Sequence, residues 1–251
     1  MSEEGPGRLA PGIGGGHGRR SRPAADARFI ARSLLFSSPL VFGALHRPQR
    51  GQERVGPGTE LVIDGFPRSG NTFALVAFEV AQPAPVRVAH HTHASAQVVA
   101  AARSGLPVIL TVRRPIDAVV SHCQYYAEVS MTTALLTYLV FYRRCLPFRD
   151  RVVAATFDEI TSDMGGVIDR TNARFATAFA RFDHTEENVA RCFELIEAQV
   201  PEERFGEARE RVLPRPTEAR ESGRAELRAR YERLPAVLRR RADALYRAYL
   251  P

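Results

Sequence analysis

The sequence predicts an α/β fold with a central parallel sheet flanked by helices. Four short apolar runs are typical of buried strands: residues 61–64, 86–89, 107–112 and 152–156. Segments with helical spacing of apolar residues separate these runs, and such an alternation favours parallel pairing. The 251 residues are 45% hydrophobic and 25% charged, which is ordinary for a globular chain that can bury a sizeable core.

The chain divides into three parts by composition. Residues 1–25 contain seven glycines and three prolines, so we expect a disordered tail of Gly, Pro and Arg. Residues 26–58 are predicted to form an amphipathic helix and a connector. Residues 59–251 contain all four predicted strands and form the main domain.

The amphipathic helix is predicted from the helical spacing of Phe29, Ile30, Leu34 and Leu35, and it should end near Pro39. We expect its apolar face to pack on the domain, with a membrane-surface role as the less favoured alternative. No apolar run reaches the roughly 20 residues that a membrane-spanning helix needs. We therefore expect no transmembrane segment.

The helices of the main domain follow the strands in order. The first is expected over residues 71–81, after the first strand, and the second over 95–103, after the second strand. Pro115 opens the helix after the third strand, because the missing N–H of proline costs nothing in a first helical turn. A further helix is predicted over residues 131–146. After Gly165 the chain is expected to be mainly helical.

The charge composition excludes some chemistry and disfavours some partners. The formal net charge is +7, all 35 basic residues are arginine, and there is no lysine. Reactions that need a lysine amine are therefore excluded. The basic excess lies at the two ends of the chain, whereas a nucleic-acid-binding protein more often has a continuous basic face with aromatic residues. We expect no nucleic-acid partner, and the all-arginine composition indicates a bacterial genome rich in G and C.

The three cysteines form no C-x-x-C motif and are odd in number. This pattern predicts neither a disulfide framework nor a zinc site. It is typical of a protein that works in a reducing cytoplasm.

A phosphate-binding loop is predicted where the first strand ends. Residues 65–72 read G-F-P-R-S-G-N-T and match the P-loop pattern G-x-x-x-x-G-K-[ST] except that Asn71 replaces the lysine. Such a loop directs backbone N–H groups and a helix N-terminus at an anion. Because the positive charge lies instead on Arg68, a phosphate-like ligand is favoured and an ordinary nucleoside triphosphate is not. The alternative is a connector that binds nothing.

A second candidate anion site follows the third strand. Residues 112–122 read V-R-R-P-I-D-A-V-V-S-H, with Arg113 at the strand end and Ser121 about two helical turns later. An arginine fork and a hydroxyl suit a separate phosphate monoester. In the alternative interpretation, Arg113 pairs with Asp117 and Ser121 bonds back to its own helix.

Taken in order, the two motifs resemble those of the sulfotransferase family that uses 3′-phosphoadenosine 5′-phosphosulfate (PAPS). The resemblance covers residues 59–160 and implies a P-loop NTPase-like sulfotransferase fold of bacterial type. It implies that the 5′-phosphosulfate is held by the loop residues Arg68, Ser69, Gly70, Asn71, Thr72 and Phe73. It also implies that Arg113 and Ser121 hold the 3′-phosphate.

Residues 90–93, H-H-T-H, follow the second strand and offer a general base. Histidine suits this role because its ordinary pKa is about 6.5. The segment is similar to the K-T-H of many sulfotransferases, which implies His93 as the catalytic base, with His90 and His91 as supporting residues. Arg68 is the second catalytic candidate: it would stabilise the leaving phosphate, since arginine hardly gives up its proton. A metal cluster is the weaker alternative, and we expect no metal.

The chain departs from the family pattern in two places. It lacks the R-K-G-x-x-G segment that covers the 3′-phosphate in animal cytosolic members. The nearest substitutes are Arg215 and Arg220, which either close over this phosphate or remain solvated. The segment between Arg68 and His93 is also shorter than in those enzymes, which leaves less chain for an acceptor pocket. Residues 157–159 resemble an aromatic-acid-acid turn of the family and are expected to be structural.

The resemblance implies transfer of a sulfuryl group from PAPS to a hydroxyl or amine of a small-molecule or glycan acceptor, with adenosine 3′,5′-bisphosphate as the product. The alternatives are a nucleotide or small-molecule kinase with a degenerate P-loop and a non-catalytic nucleotide-binding protein. The sequence specifies neither the acceptor nor the oligomeric state. A group of aromatic residues follows the second motif, and core packing is favoured over a pocket lining for its members: Tyr125, Tyr126, Tyr138, Phe141 and Tyr142.

Overall fold

In the computed structural model, the chain forms a four-stranded parallel sheet flanked by helices, and this confirms the predicted fold class. The structure describes residues 22–49, 51–200 and 223–250. The strands are β1 (Leu61–Gly65), β2 (Val88–His90), β3 (Val108–Val112) and β4 (Val153–Thr156). They lie in the order β2-β1-β3-β4. The central strands β1 and β3 are buried along their whole length, as expected for a sheet covered on both faces.

The helices that precede and alternate with the strands are α1 (Arg22–Leu35), α2 (Pro39–Leu45), α3 (Asn71–Ala81), α4 (Ser95–Arg103), α5 (Pro115–Tyr125) and α6 (Met131–Cys145). A 3₁₀ helix (Leu146–Arg151) leads into β4. The later helices are α7 (Phe157–Ser162), α8 (Met164–Phe175), α9 (Glu186–Ala198), α10 (Arg224–Glu232) and α11 (Ala236–Arg247).

Two hydrophobic cores lie on opposite faces of the sheet. Val62 and Leu110 point into the core that α4, α5 and α6 cover. Ile63 and Ile109 point into the other core, under α3, α8 and α9. This division follows from strand geometry, because successive side chains point to opposite faces.

The second strand begins two residues later than predicted. Its strand pairing with β1 starts at the partners Leu61 and Val88, and before it the carbonyl of Arg87 accepts from the backbone N–H of Glu60 at 2.9 Å. Glu53, in the predicted connector, forms an antiparallel bridge with His90 on the outer side of β2.

The N-terminal helix differs from its prediction in two respects. It begins at Arg22 instead of residue 26, and a second helix, α2, follows it. Its apolar face packs only in part: the ring of Phe29 contacts His122, but Leu34 and Leu35 are 53% and 50% exposed. The chain turns sharply after α1, and Phe36 takes the inner position against the domain instead.

No single helix in the described part of the chain has the length and apolar character needed to cross a bilayer. Residues 23–35 and α2 are long and apolar enough only when the two helices are counted together, and the angle between their axes is 112°.

Candidate active site

The carboxyl ends of the four parallel strands bring the predicted site residues to one edge of the sheet. The loop of residues 65–72 follows β1, and His93 lies three residues beyond β2. Arg113 follows β3 directly, and Phe157 follows β4 directly. Open α/β sheets bind ligands at this edge, so the topology itself assembles the candidate site.

The loop after β1 has a backbone suited to an anion. Arg68 (φ 69°) and Gly70 (φ 96°) both adopt the left-handed conformation on either side of Ser69. Alternation of this kind turns successive N–H groups toward one point and forms an anion-binding concavity. The loop then opens α3, whose N-terminus adds its positive dipole end.

Asn71, at the position of the P-loop lysine, has a structural role. Its side chain is buried and bonds at both ends: Nδ2 donates to the carbonyl of Phe66 at 3.1 Å, and Oδ1 accepts from the hydroxyl of Thr111 at 2.9 Å. The asparagine therefore fastens the loop to β3. Gly65 allows this close approach, because a Cβ atom there would overlap the carbonyl and hydroxyl oxygens of Thr111.

Two other loop residues direct their side chains into the protein interior. The hydroxyl of Ser69 lies 3.2 Å from that of Tyr142. Since Tyr142 donates its own hydrogen to the carbonyl of Thr111, Ser69 is the donor. The ring of Phe73 packs near that of Phe193, with centroids 5.6 Å apart. The side chains of Ser69 and Phe73 are therefore used in core packing, and the backbone N–H of Ser69 donates to the carbonyl of Phe66 at 3.2 Å.

The second motif joins the loop directly. Arg113 donates to the carbonyl of Arg68 at 2.9 Å, and Nε of Arg68 donates to the hydroxyl of Ser121 at 3.3 Å. The guanidinium carbon of Arg113 lies 3.8 Å from the ring centre of Phe157, and that of Arg68 lies 5.0 Å from the ring centre of Tyr125. The structure therefore brings Arg68, Arg113 and Ser121 together, and two aromatic rings support the cations. The sequence prediction assigned Phe157 a structural role and missed this contact.

The acidic residue of the second motif has other partners. Asp117 accepts from Arg114 at 2.8 Å and also pairs with Arg228 of α10. The sequence left open a pairing of Arg113 with Asp117. In the structure, Asp117 pairs with the neighbouring Arg114 instead. Asp117 thus ties α5 to the C-terminal helices.

Thr72 contacts the histidine segment. Its hydroxyl lies 3.1 Å from Nε2 of His91, and Nδ1 of His91 lies 2.9 Å from Nδ1 of His90. Burial lowers the pKa of both His90 and His91, which favours neutral rings. The two histidines therefore support Thr72 and the segment around it.

His93 is oriented as a neutral base. Its Nδ1 lies 2.9 Å from the carbonyl oxygen of Gly65, and because a carbonyl can only accept, Nδ1 carries the hydrogen. The lone pair is then on Nε2, and the side chain is 19% exposed. Burial lowers the pKa of His93, and the carboxylate of Asp64 opposes this effect. A ring that is neutral near pH 7 can accept a proton at Nε2.

Asp64, which the sequence analysis did not single out, holds this arrangement together. Its carboxylate is fully buried. Oδ1 accepts from the backbone N–H of Gly65 at 2.9 Å and of His93 at 3.2 Å. Oδ2 accepts from the N–H of Thr92 at 3.1 Å, from the hydroxyl of Thr92 at 2.7 Å and from Gln97 at 3.1 Å. The signal available in the sequence is an acidic residue inside the apolar run of β1.

These hydrogen bonds restrain a strained backbone. His91 (φ 57°) and His93 (φ 50°) are both left-handed, on either side of Thr92. Each such conformation of a non-glycine residue costs on the order of 1 kcal/mol or more. The contacts of Asp64 to Thr92 and His93 therefore offset this cost and fix the direction of the His93 ring.

A pocket lies beside His93, between α1 and α6. Its lining includes Phe29, Arg32, Phe66, His93, His122 and Phe141. Within the described residues, neither ring nitrogen of His122 has a hydrogen-bond partner, and burial lowers its pKa to about 3. Of the five aromatic residues expected to pack in the core, Tyr138, Phe141 and Tyr142 are buried, whereas Tyr125 and Tyr126 are half-buried. Phe141 also lines the pocket.

Among the described residues, no group of three or more His, Cys, Asp or Glu side chains is placed to hold a metal ion. Arg215 and Arg220, the predicted cover of the second phosphate, lie outside the described residues.

No protein-family model and no curated protein matches the chain. Among solved structures, it is similar to mouse sulfotransferase SULT7A1, which was crystallised in complex with PAP. The two chains are 14% identical, the match covers 76% of this chain and 90% of that chain, and the TM-score is 0.43. The function is therefore inferred from the residues of this chain's own site.

We predict that Asp64→Asn destabilises the protein. The amide would place N–H groups against buried N–H and O–H donors, so the free energy of unfolding should fall by about 3 kcal/mol. Urea denaturation measures this. The matched control is Asp150→Asn: that side chain is 90% exposed, and we expect a change within about 0.5 kcal/mol. Equal stability of the two variants would contradict the role given to Asp64.

We also predict that His93 is the Nδ1–H tautomer near neutral pH and titrates below its ordinary pKa of 6.5, because burial disfavours the charged ring. As the pH falls, the ring should stay neutral at values where an exposed histidine is already protonated. A ¹⁵N NMR titration of the histidine rings, assigned with His93→Gln, measures both properties. A pKa above 6.5, or a hydrogen on Nε2, would contradict the geometry.

Proposed function

We propose that the protein is a PAPS-dependent sulfotransferase. It would transfer a sulfuryl group to a hydroxyl or amine of a small-molecule or glycan acceptor and release adenosine 3′,5′-bisphosphate. The observation that carries this proposal is the direct contact between the anion loop and the second cationic motif, through Arg113 and the carbonyl of Arg68. Two anion sites in contact suit a nucleotide that carries phosphate groups at two separate positions.

The residues present fit such a donor. The left-handed loop and the N-terminus of α3 provide N–H groups for a 5′-phosphosulfate. Arg113 and Ser121 provide a guanidinium fork and a hydroxyl for a 3′-phosphate. When bound, PAPS supplies a sulfuryl group linked to a phosphate leaving group. Asn71 disfavours the kinase alternative, since its amide is committed to the loop and to β3.

His93 is the proposed general base. Its Nε2 would accept the proton of the acceptor group, and the resulting imidazolium would keep its Nδ1–H bond to the carbonyl of Gly65. The carboxylate of Asp64 lies 3.5 Å from Nδ1, so it would stabilise the positive charge that the ring acquires. Asp64 is a positioning residue here, because it acts through His93.

Arg68 is proposed to stabilise negative charge on the leaving phosphate. Burial lowers its pKa, but a guanidinium remains protonated in proteins, so it donates hydrogen bonds and does not act as an acid. Its bond to Ser121 at 3.3 Å and the ring of Tyr125 hold the guanidinium in place beside the loop. A fixed cation that needs no reorganisation is an effective means of transition-state stabilisation.

The proposal extends to the organisation of the chain. We assign the transferase domain to residues 59–251 and, because α1 begins at Arg22, extend the accessory segment from residues 26–58 to residues 22–58. The pocket beside His93 is the proposed acceptor site, because its lining includes the base itself.

We predict that adenosine 3′,5′-bisphosphate binds without metal and that Arg113→Ala weakens this binding by about thirtyfold or more, which corresponds to a lost charge-assisted hydrogen bond of roughly 2 kcal/mol. Isothermal titration calorimetry measures the affinity, with ADP and ATP as competitors. The matched control is Arg114→Ala, since the side chain of Arg114 is 60% exposed and pairs with Asp117; we expect a change of about threefold at most. Preferential binding of ATP would support the kinase alternative instead.

We predict that His93→Gln lowers kcat by about 100-fold or more, the usual contribution of a general base, and leaves the affinity for adenosine 3′,5′-bisphosphate unchanged. The bisphosphate released from PAPS is quantified by chromatography with 2-naphthol, an aliphatic alcohol, an amine and N-acetylglucosamine as trial acceptors. A wild-type protein that binds the bisphosphate but transfers to none of these would favour the non-catalytic alternative. A fully active variant would remove His93 from the mechanism.

A further inference from the structure

Four exposed leucines lie within a stretch of twelve residues on the N-terminal helices. Leu34 and Leu35 lie at the end of α1, and Leu40 and Leu45 lie on α2; their exposed fractions are 53%, 50%, 86% and 62%. We call these four side chains the leucine surface. Isolated exposed leucines need no explanation, but a cluster of this kind marks an interaction site.

The fold does not use the leucine surface for its own packing. The inner side of the two helices is occupied by Phe36 and Phe42, which pack against Ala94 and Ala96 of the main domain. The carbonyl of Phe36 also accepts from the N–H of Ala96 at 3.2 Å. Within the described residues, the helix pair thus has inner phenylalanines that pack on the domain and leucines that stay exposed. The outer side suits a second apolar environment.

The segment that carries the leucine surface is basic, because residues 27–52 contain arginines and no Asp or Glu. The acid of α1, Asp26, accepts from the backbone N–H of Ser130 at 2.8 Å. Arg28 on α1 and Arg47 just after α2 are both exposed. Leucines between arginines, without acids, are typical of segments that lie at an anionic membrane surface. A symmetric contact with a second copy would place arginine against arginine, which is unfavourable.

We propose that α1 and α2 dock on an anionic lipid bilayer, with the leucine surface among the acyl chains near the headgroups and with Arg28 and Arg47 at the lipid phosphates. The same helix lines the pocket beside His93 with Phe29 and Arg32. The inference stands on the surface itself and does not require the proposed transferase activity.

The test is co-sedimentation of the full chain with phosphatidylcholine vesicles, with and without phosphatidylglycerol. Binding is expected to the anionic vesicles and to weaken at high salt. Leu40→Ser combined with Leu45→Ser should weaken it about tenfold or more, because two apolar side chains no longer enter the bilayer. The matched control is Val237→Ser on α11, another exposed apolar side chain at 48%, and it should bind as the wild type does.

The charge contribution is tested separately. Arg28→Ala combined with Arg47→Ala should weaken binding to anionic vesicles roughly 25-fold, about fivefold for each arginine near the surface. Arg241→Ala, an exposed arginine of α11, should have no effect. Circular dichroism confirms that each variant is folded, and Arg113→Ala should bind vesicles normally.

Any of three results would overturn the proposal. The first is that the full chain stays in solution when anionic vesicles are sedimented. The second is that the leucine variant binds as tightly as the wild type. The third is self-association in analytical ultracentrifugation that the two leucine substitutions abolish, which would assign the surface to a second copy of the chain.

Discussion

The carboxylate of Asp64 is the contact on which the candidate site depends. Buried at the end of β1, it accepts hydrogen bonds from the loop after its own strand and from the histidine segment after the neighbouring strand β2. A buried carboxylate is tolerated only where such donors surround it. Its hydrogen bonds therefore hold Thr92 and His93 in a fixed position relative to the anion loop, and this position sets the direction of the His93 ring.

The other components of the site are joined by similarly short connections. Asn71 ties the loop to β3, where a P-loop lysine would instead reach for a triphosphate. Arg113, directly after β3, donates a hydrogen bond to the carbonyl of Arg68, and its guanidinium lies over the ring of Phe157, directly after β4. Each strand end thus contributes one part, and parallel pairing places all the parts at one edge. Preorganisation of this kind is what a group-transfer site requires.

The sequence predicted the fold class and the order of strands and helices in the main domain, because apolar periodicity is a local property. It placed the two anion motifs after the first and third strands, but their direct contact through Arg113 and Arg68 was not predicted. It did not predict which side chains the motifs would direct inward. Ser69 and Phe73 match a binding motif, yet their side chains face Tyr142 and Phe193. Tertiary contacts also explain two other differences. Asp64 was not singled out, because its partners lie 28 residues away, and Leu34 was expected to pack but is exposed next to the turn into α2.

A crystal structure of the complex with adenosine 3′,5′-bisphosphate tests the central claim most directly. The account predicts the 5′-phosphate within hydrogen-bonding distance of the loop N–H groups and Arg68, and the 3′-phosphate on Arg113 and Ser121. Nε2 of His93 should face the side of the 5′-phosphate from which an acceptor would approach. A nucleotide bound away from the carboxyl ends of the strands, or with its two phosphates exchanged between the motifs, would contradict the account.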